Sequence, residues 1–433
     1  MPIIAEKSRV SLPFSAFGGH LGEPEPPRRS ITAAKLRPET ECMPPLIEAA
    51  TLPAEAAARV KATATRLVTT LRAKPKSQGV EGLIHEYSLS SEEGVSLMCL
   101  AEALLRIPDN ATRDALIRDK VSTGDWLAHV SADNSLFVNA ATWGLAVTGK
   151  LIDPIDQRGL SGALTRLLAR GGEPLVRRAV DLAVRLMGEQ FVTGQTIEAA
   201  LVNSRRLISK GFSHSYDMLG EAATTASDAA RYLASYEVAI HAIGKAARGA
   251  GPYRGPGISI KLSALHPRYE RAQIDRVLAE LLPRLKRLAL LAKTYDIGFN
   301  IDAEEADRLE LSLDLLECLC FAPELKGWNG IGFVVQAYLK RCPFVLDYLI
   351  DLARRSSHRL MVRLVKGAYW DSEIKRAQVD GLDGYPVFTR KVHTDVSYLA
   401  CARKLLAAPD AIYPQFATHN AQTVASIYHM AGH

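Results

Sequence analysis

From Phe212 to its last residue the chain repeats one device six times: a short apolar strand followed by a helix. The strand segments read SYDMLGE, GISIKLSAL, GFNIDAEE, IGFVVQAY, LMVRLVKGA and YPQFATHN, with helical patterns at 228–245, 271–294, 307–319 and 344–355 between them. Strands that alternate with helices pair in parallel, so the sheet is either doubly wound or closed into a barrel. The polar residues decide between the two. In GISIKLSAL, Ile258, Ile260 and Leu262 share one face and Ser259, Lys261 and Ser263 the other. In FNIDAE, Phe299, Ile301 and Ala303 alternate with Asn300, Asp302 and Glu304, and in FVVQAY, Phe333, Val335 and Ala337 alternate with Val334, Gln336 and Tyr338. Arg363 opposes Val362 and Leu364 in MVRLV. A doubly wound sheet covers both faces with helices, whereas a barrel turns one face toward a shared interior and carries its site at the C-terminal strand ends. Polar groups on one face, gathered near strand ends, predict an α/β fold of the (βα)8 TIM-barrel type with six βα units present.

An unpaired charge inside a barrel costs several kcal/mol or neutralises itself, so Lys261, Asp302 and Arg363 need partners or a charged ligand. Together they mark a site, although an ion-pair network that only holds the barrel would use the same residues. Lys366 and Gly367 end the fifth strand, where a lysine serves a phosphate as a point charge and glycine lets the backbone approach a ligand. Tyr369 and Trp370 offer flat walls to a pocket, or equally to a core. Thr418, His419 and Asn420 follow the sixth strand; Asn420 also fits a helix cap and His419 a solvated loop.

The rest of the chain reads differently. Nine of the 22 prolines fall in the first 53 residues, so 1–54 is expected to be a flexible arm. Residues 55–211 are expected to form a helical domain, with an amphipathic run at 55–72, a capping box at Ser90–Glu93, and helices at 110–120, 160–170, 174–187 and 196–207. The barrel takes 212–433. A net charge of +6, spread without blocks, points to no nucleic-acid arm, and six cysteines without a CxxC pair suit a reducing cytoplasm. No apolar run is long enough to span a bilayer, which leaves peripheral contact. Dinucleotide, P-loop, metal-binding and serine-nucleophile signatures are all missing, so no metal is expected.

The blocks SYDMLGEAA, GPGISIKLSALHPRY, NIDAEEADRLE, GWNGIGFVVQAY, RLMVRLVKGAYWDSEIKRAQ and YPQFATHNAQT resemble the proline dehydrogenase domain of the proline utilization A family, and the helical region 83–207 resembles, more weakly, the segment before it. The resemblance implies oxidation of L-proline to pyrroline-5-carboxylate on FAD, with electrons passed to a membrane quinone. FAD contacts implied are Gln336, Arg363, Val365, Lys366, Gly367, Ala368, Trp370, Thr418, His419 and Asn420. On the substrate side it implies Lys261 for the proline carboxylate, Asp302 and Tyr369 as pocket walls, and Glu221 as an ion-pairing gate. It further implies two more strands and a last helix with paired arginines, none of which lies within the chain ending SIYHMAGH, nor does an aldehyde dehydrogenase domain. The proline-rich start does not resemble the ribbon-helix-helix segment of some relatives, so DNA binding is not expected. A peripheral position at the inner membrane and a homo-oligomer stay open.

Two other readings compete. One is a catalytically inactive remnant acting as an interaction module through open sheet edges. The other is a Schiff-base lyase with Lys261 as nucleophile.

Overall fold

The structure is a computed structural model that describes residues 26–73, 109, 112, 115 and 192–432. By its contacts the chain divides into two compact units, Met1–Leu67 with Ser213–His433, and Val68–Phe212. In the second unit the helix Ile197–Ile208 starts on Thr196, whose hydroxyl accepts from the Ala199 N–H. The helices expected from Ser90 to Met187 lie outside the described residues, apart from Thr112 and Ala115, both helical.

In the first unit, six strands form one parallel sheet in the order of the chain: β1 (Ser215–Asp217), β2 (Gly257–Ile260), β3 (Gly298–Ile301), β4 (Ile331–Gln336), β5 (Leu360–Val365) and β6 (Ile412–Phe416). The outward residues Ile258, Phe299, Phe333 and Val362 are fully buried beneath helices. The inner face is closed by a side chain. Arg363 on β5 donates to Ser259 Oγ on β2 and to Ser215 Oγ on β1, each at 3.0 Å. In a flat sheet those strands would lie about 14 and 19 Å from β5, out of reach of any arginine. The sheet is therefore rolled, as a TIM-type barrel requires.

Helices of eight or more residues in this unit are α1 (Pro26–Ala33), α2 (Glu39–Ala50), α3 (Ala54–Arg72, which runs past Leu67), α4 (Ala226–Ala247), α5 (Leu282–Thr294), α6 (Leu309–Cys320), α7 (Cys342–Ser356), α8 (Trp370–Val379), α9 (Lys391–Leu406) and α10 (Ala421–Met430). The helix expected over 271–294 is interrupted by a π turn at Val277–Leu281 just before Pro283, which has no N–H for an ordinary helical bond.

Residues 26–50 correct the expectation of a flexible arm. They form α1 and α2 in spite of Pro44 and Pro45 inside α2. An interior proline costs about 3 kcal/mol, and tertiary contacts offset it here: Cys42, Met43 and Leu46 pack against Phe388 and Ala400. Arg28 pairs with Asp314, and Lys35 with Asp307 at 3.0 Å. The start of α3 likewise belongs with the barrel unit, where Val60 and Ala64 pack on Ala425. Ser263 is a second difference. The strand stops at Ile260, and Ser263 sits in a short helical turn, Leu262–Leu265, where the alternation of faces no longer applies.

Candidate functional site

The C-terminal strand ends enclose a cavity of about 650 Å³. Asp217, Lys261 and Asp302 line one side of it, at the ends of β1 to β3. Gln336, Arg363 and the run Val365–Tyr369 form the floor and another wall, and Thr418, His419 and Asn420 complete it together with Lys391. Of the residues singled out in the sequence, the structure leaves two off this wall. Trp370 opens α8, and its indole N–H donates to the Phe388 carbonyl at 2.8 Å, so adjacency to Tyr369 does not bring it inside. Glu221 is exposed on the segment after β1, and its charge reaches the site only as one of the causes that raise the Tyr369 phenol, after burial.

Charge is dense at the strand ends. Lys261 Nζ lies 2.7 Å from Asp217 Oδ1 and 3.2 Å from Asp302 Oδ2, and Arg363 stands 3.7 Å from Asp302. Burial alone would push the Lys261 ammonium down, but Asp302 and Asp217 outweigh it and hold the group well above its ordinary value. Asp302 moves upward too: burial and the like charge of Asp217 exceed the pull of Lys261 and Arg363. The two directions agree once Asp302 is seen to share one lysine with a second carboxylate. Nearby, Glu304 accepts from the Ser263 N–H at 3.1 Å, and Ser263 in turn holds the Ala222 N–H at 2.9 Å. Ala222, next to Glu221, has a left-handed φ of 52° that these bonds help to maintain.

The turn after β5 is fixed on several sides. Tyr338 N–H donates to the Lys366 carbonyl at 2.8 Å, and Gln336 Oε1 accepts from the Ala368 N–H at 3.2 Å. Gly367 between them has φ 142°, and an added Cβ would meet the Tyr338 ring at 2.4 Å. After β6, Asn420 does cap α10, accepting from the Thr423 N–H at 3.0 Å, while also facing the cavity.

Lys366 and Lys391 share Asp395, the latter at 2.7 Å. Burial would raise the Asp395 carboxyl, but the hydrogen bonds from both lysines hold it below its usual value. A lowered folded-state value gives stability that is present above the unfolded value near 3.8 and lost as pH falls through the lower folded one. This group should therefore leave the urea midpoint level from about pH 7 to pH 5 and lower it below about pH 4, with Asp395→Asn flattening that acid limb. Equal acid limbs in parent and variant would show that the triad adds nothing to stability.

Asp217, Lys391 and Asp395 were not singled out in the sequence. Period-two spacing from Ser215 could have found Asp217. Lys391 and Asp395 look like an ordinary exposed i,i+4 pair on a helix, and nothing local distinguishes them. Among the described residues no group of His, Cys, Asp or Glu is arranged to hold a metal ion, and no helix is long and apolar enough to cross a membrane.

Comparison with known proteins adds the family. The profile described as Proline dehydrogenase matches residues 200–433, and that of the Proline utilization A proline dehydrogenase N-terminal domain matches 25–72. A third, described as the DNA-binding domain of Proline dehydrogenase, matches 79–191, and its name runs against the expectation of no DNA contact, which rested on the proline-rich start and on the absence of like-charge blocks. The chain is 66% identical to the Bifunctional protein PutA of Escherichia coli (strain K12) over 97% of its own length and 32% of that protein's. It thus spans about a third of such relatives. To Proline dehydrogenase 1 of Bacillus subtilis (strain 168) it is 30% identical, over 46% of the chain and 58% of that protein. A crystal structure of a Bradyrhizobium japonicum proline utilization A mutant superposes with a TM-score of 0.67 at 48% identity, covering 92% of this chain and 40% of that one. With more than half of its length matched, cavity included, this chain belongs to the proline dehydrogenase family.

Proposed function

We propose that the cavity binds FAD and that the chain takes part in oxidising L-proline to pyrroline-5-carboxylate, the first step of proline breakdown, with electrons passed on to a quinone. The observation that carries this reading is the pairing, in one cavity inside the family match, of the Lys261–Asp302–Arg363 cluster with the Lys366–Gly367 turn. The donor set fits the cofactor: Arg363, Lys366 and Lys391 are cations for a pyrophosphate, Val365 and Ala368 are small apolar surfaces, and the cavity volume lies within the usual range for cofactor sites. Gln336, Arg363, Val365 to Ala368 and Thr418 to Asn420 would hold the group, and Trp370 would act by supporting this wall. When bound, FAD supplies the hydride acceptor.

Lys261 would grip the proline carboxylate, held as an ammonium by its two acidic neighbours and aimed by the Lys261 N–H bond to Tyr236 Oη at 3.1 Å. Asp302 and Tyr369 would bound the ring, with Glu221 at the entrance. A lysine held well above its ordinary value by two carboxylates is the reverse of what a Schiff-base nucleophile needs, which argues against the lyase reading. The setting proposed is the cytoplasm, with peripheral contact at the inner membrane for the quinone.

The test uses the purified chain. Titrated with FAD, it should take up flavin absorbance and quench flavin fluorescence. With proline and an artificial electron acceptor, dye reduction should follow. Failure to take up FAD sinks the reading. Uptake without proline-dependent reduction would favour the interaction module, whose apolar surface would include Val424 and Tyr428, exposed on α10.

A further inference from the structure

We propose that Glu39, on the N-terminal helix α2, is a positioning residue for the cavity: it ties the residue before α9 and the His393 side chain to another element and so fixes the turn from which Asp395 holds Lys366 and Lys391. The inference rests on the reading of that wall as a pyrophosphate site.

Helix α9 begins without a cap of its own, since Arg390 makes no side-chain bond to the N–H groups of the first turn. Glu39 holds the start of the helix instead, through the residue before the cap and a side chain of the first turn. Its Oε1 takes the Thr389 N–H at 2.7 Å, and its Oε2 meets His393 Nδ1 inside the first turn. A carboxylate placed beside a helix N-terminus opposes the positive end of the helix dipole. The carboxylate is mostly buried, with a side-chain exposure of 16%, so it is committed to this contact.

The turn that Glu39 fixes leads directly to the site. Lys391 lines the cavity, and Asp395, one turn on, binds both Lys391 and Lys366. The segment before it is held from the opposite side: Phe388 N–H donates to the Tyr338 carbonyl at 2.8 Å, and Lys340 N–H to that of Pro386 at 3.2 Å. Phe388 itself is fully buried against Cys42, Met43 and Leu46 of α2. Helix α2 thus holds this segment from the side opposite the Tyr338–Lys340 bonds. Without Glu39 the first turn of α9 should fray, and the two lysines would have to be ordered by the ligand itself.

The experiment compares the parent chain with Glu39→Ala and Glu39→Gln, using FAD titration followed by flavin fluorescence, and hydrogen exchange on the flavin-free proteins. Glu39→Ala should weaken FAD binding about five- to tenfold, the scale of a lost hydrogen bond. Glu39→Gln, which keeps an acceptor but no charge, should fall between Glu39→Ala and the parent. Exchange should rise in 388–395 and stay unchanged in β3 and α6. FAD affinity within twofold of the parent in Glu39→Ala overturns the proposal, as does exchange that rises evenly over the barrel. Should Glu39→Ala not fold, Glu39→Gln decides, and parent-like affinity with parent-like exchange at 388–395 sinks the idea. If the parent takes up no FAD, the flavin reading fails by itself. The exchange then decides the positioning role, which no local rise would end.

Discussion

Replacing Lys261 by methionine should lower kcat/KM for proline by about 30- to 1000-fold in a flavin-loaded, turnover-competent preparation, while leaving the chain folded. Methionine keeps most of the apolar stem and removes the charge. A charge-assisted contact to a carboxylate, lost in a largely buried site, is worth about 2–4 kcal/mol, and each 1.36 kcal/mol is a factor of ten. The ammonium also stands between Asp217 and Asp302, at 2.7 and 3.2 Å. Removing it leaves Asp302 with Arg363 at 3.7 Å as its remaining cation. The Asp302 carboxyl, already raised by burial and by Asp217, should rise further and take up a proton nearer neutral pH. Protonation relieves the repulsion, so the cost in stability should stay near 2 kcal/mol, below the usual 3–5 for a broken buried pair; half-exposed Asp217 is screened by water as well. Lys261→Arg separates the two roles: it should restore most of the stability, because charge is enough there, but little of the activity, because the carboxylate grip depends on position. Less than a tenfold loss in Lys261→Met would place the proline carboxylate elsewhere.

The same cluster shows why the barrel could be read from sequence. Ser259 and Lys261, Asn300 and Asp302, and Arg363 recur on one face with the period of a strand, and an inward polar face has few uses other than a site. The bond from Arg363 to Ser259 and Ser215 realises that pattern across the barrel. What could not be read depends on residues far apart in the chain. Glu39 and His393 are 354 positions apart, and Arg28 and Asp314 are 286 apart. A local rule sees only the prolines of α2 and reads a mobile arm, whereas the helix is held by the surface it lies on. Lys391 and Asp395 were hidden for the opposite reason. Their spacing is too ordinary to suggest a site, and only the approach of Lys366 makes it one. Trp370 and Ser263 lie past the strand ends, Trp370 at the start of α8 and Ser263 in the turn Leu262–Leu265, where the alternation of strand faces no longer applies.

Alanine in place of Gly367 should destabilise the barrel unit by about 3–5 kcal/mol and weaken FAD binding at least tenfold. Two costs act at one atom. A φ of 142° is a conformation that side-chain-bearing residues rarely adopt, at about 1–3 kcal/mol. The new Cβ would also come within 2.4 Å of the Tyr338 ring, whose residue is 2% exposed, and overpacking of this kind costs about 1–3 kcal/mol. The chain has two ways to relieve the clash, and each disturbs the cavity. Moving the ring pulls on the Tyr338 N–H bond to the Lys366 carbonyl, and moving the turn breaks the Ala368 N–H bond to Gln336. Both displace Lys366, whose ammonium is held by Asp395 on α9. Urea unfolding and FAD titration of Gly367→Ala, alone and with Tyr338→Leu, would apportion the loss. In the leucine background the steric part should disappear and the backbone part remain, so that about half of the stability is recovered while FAD affinity stays low. Full recovery of both would mean that the ring, and not the backbone, makes glycine necessary here. A loss below 1 kcal/mol in the single variant would show that the turn adapts freely, and the rigid phosphate wall inferred from it would have to be abandoned.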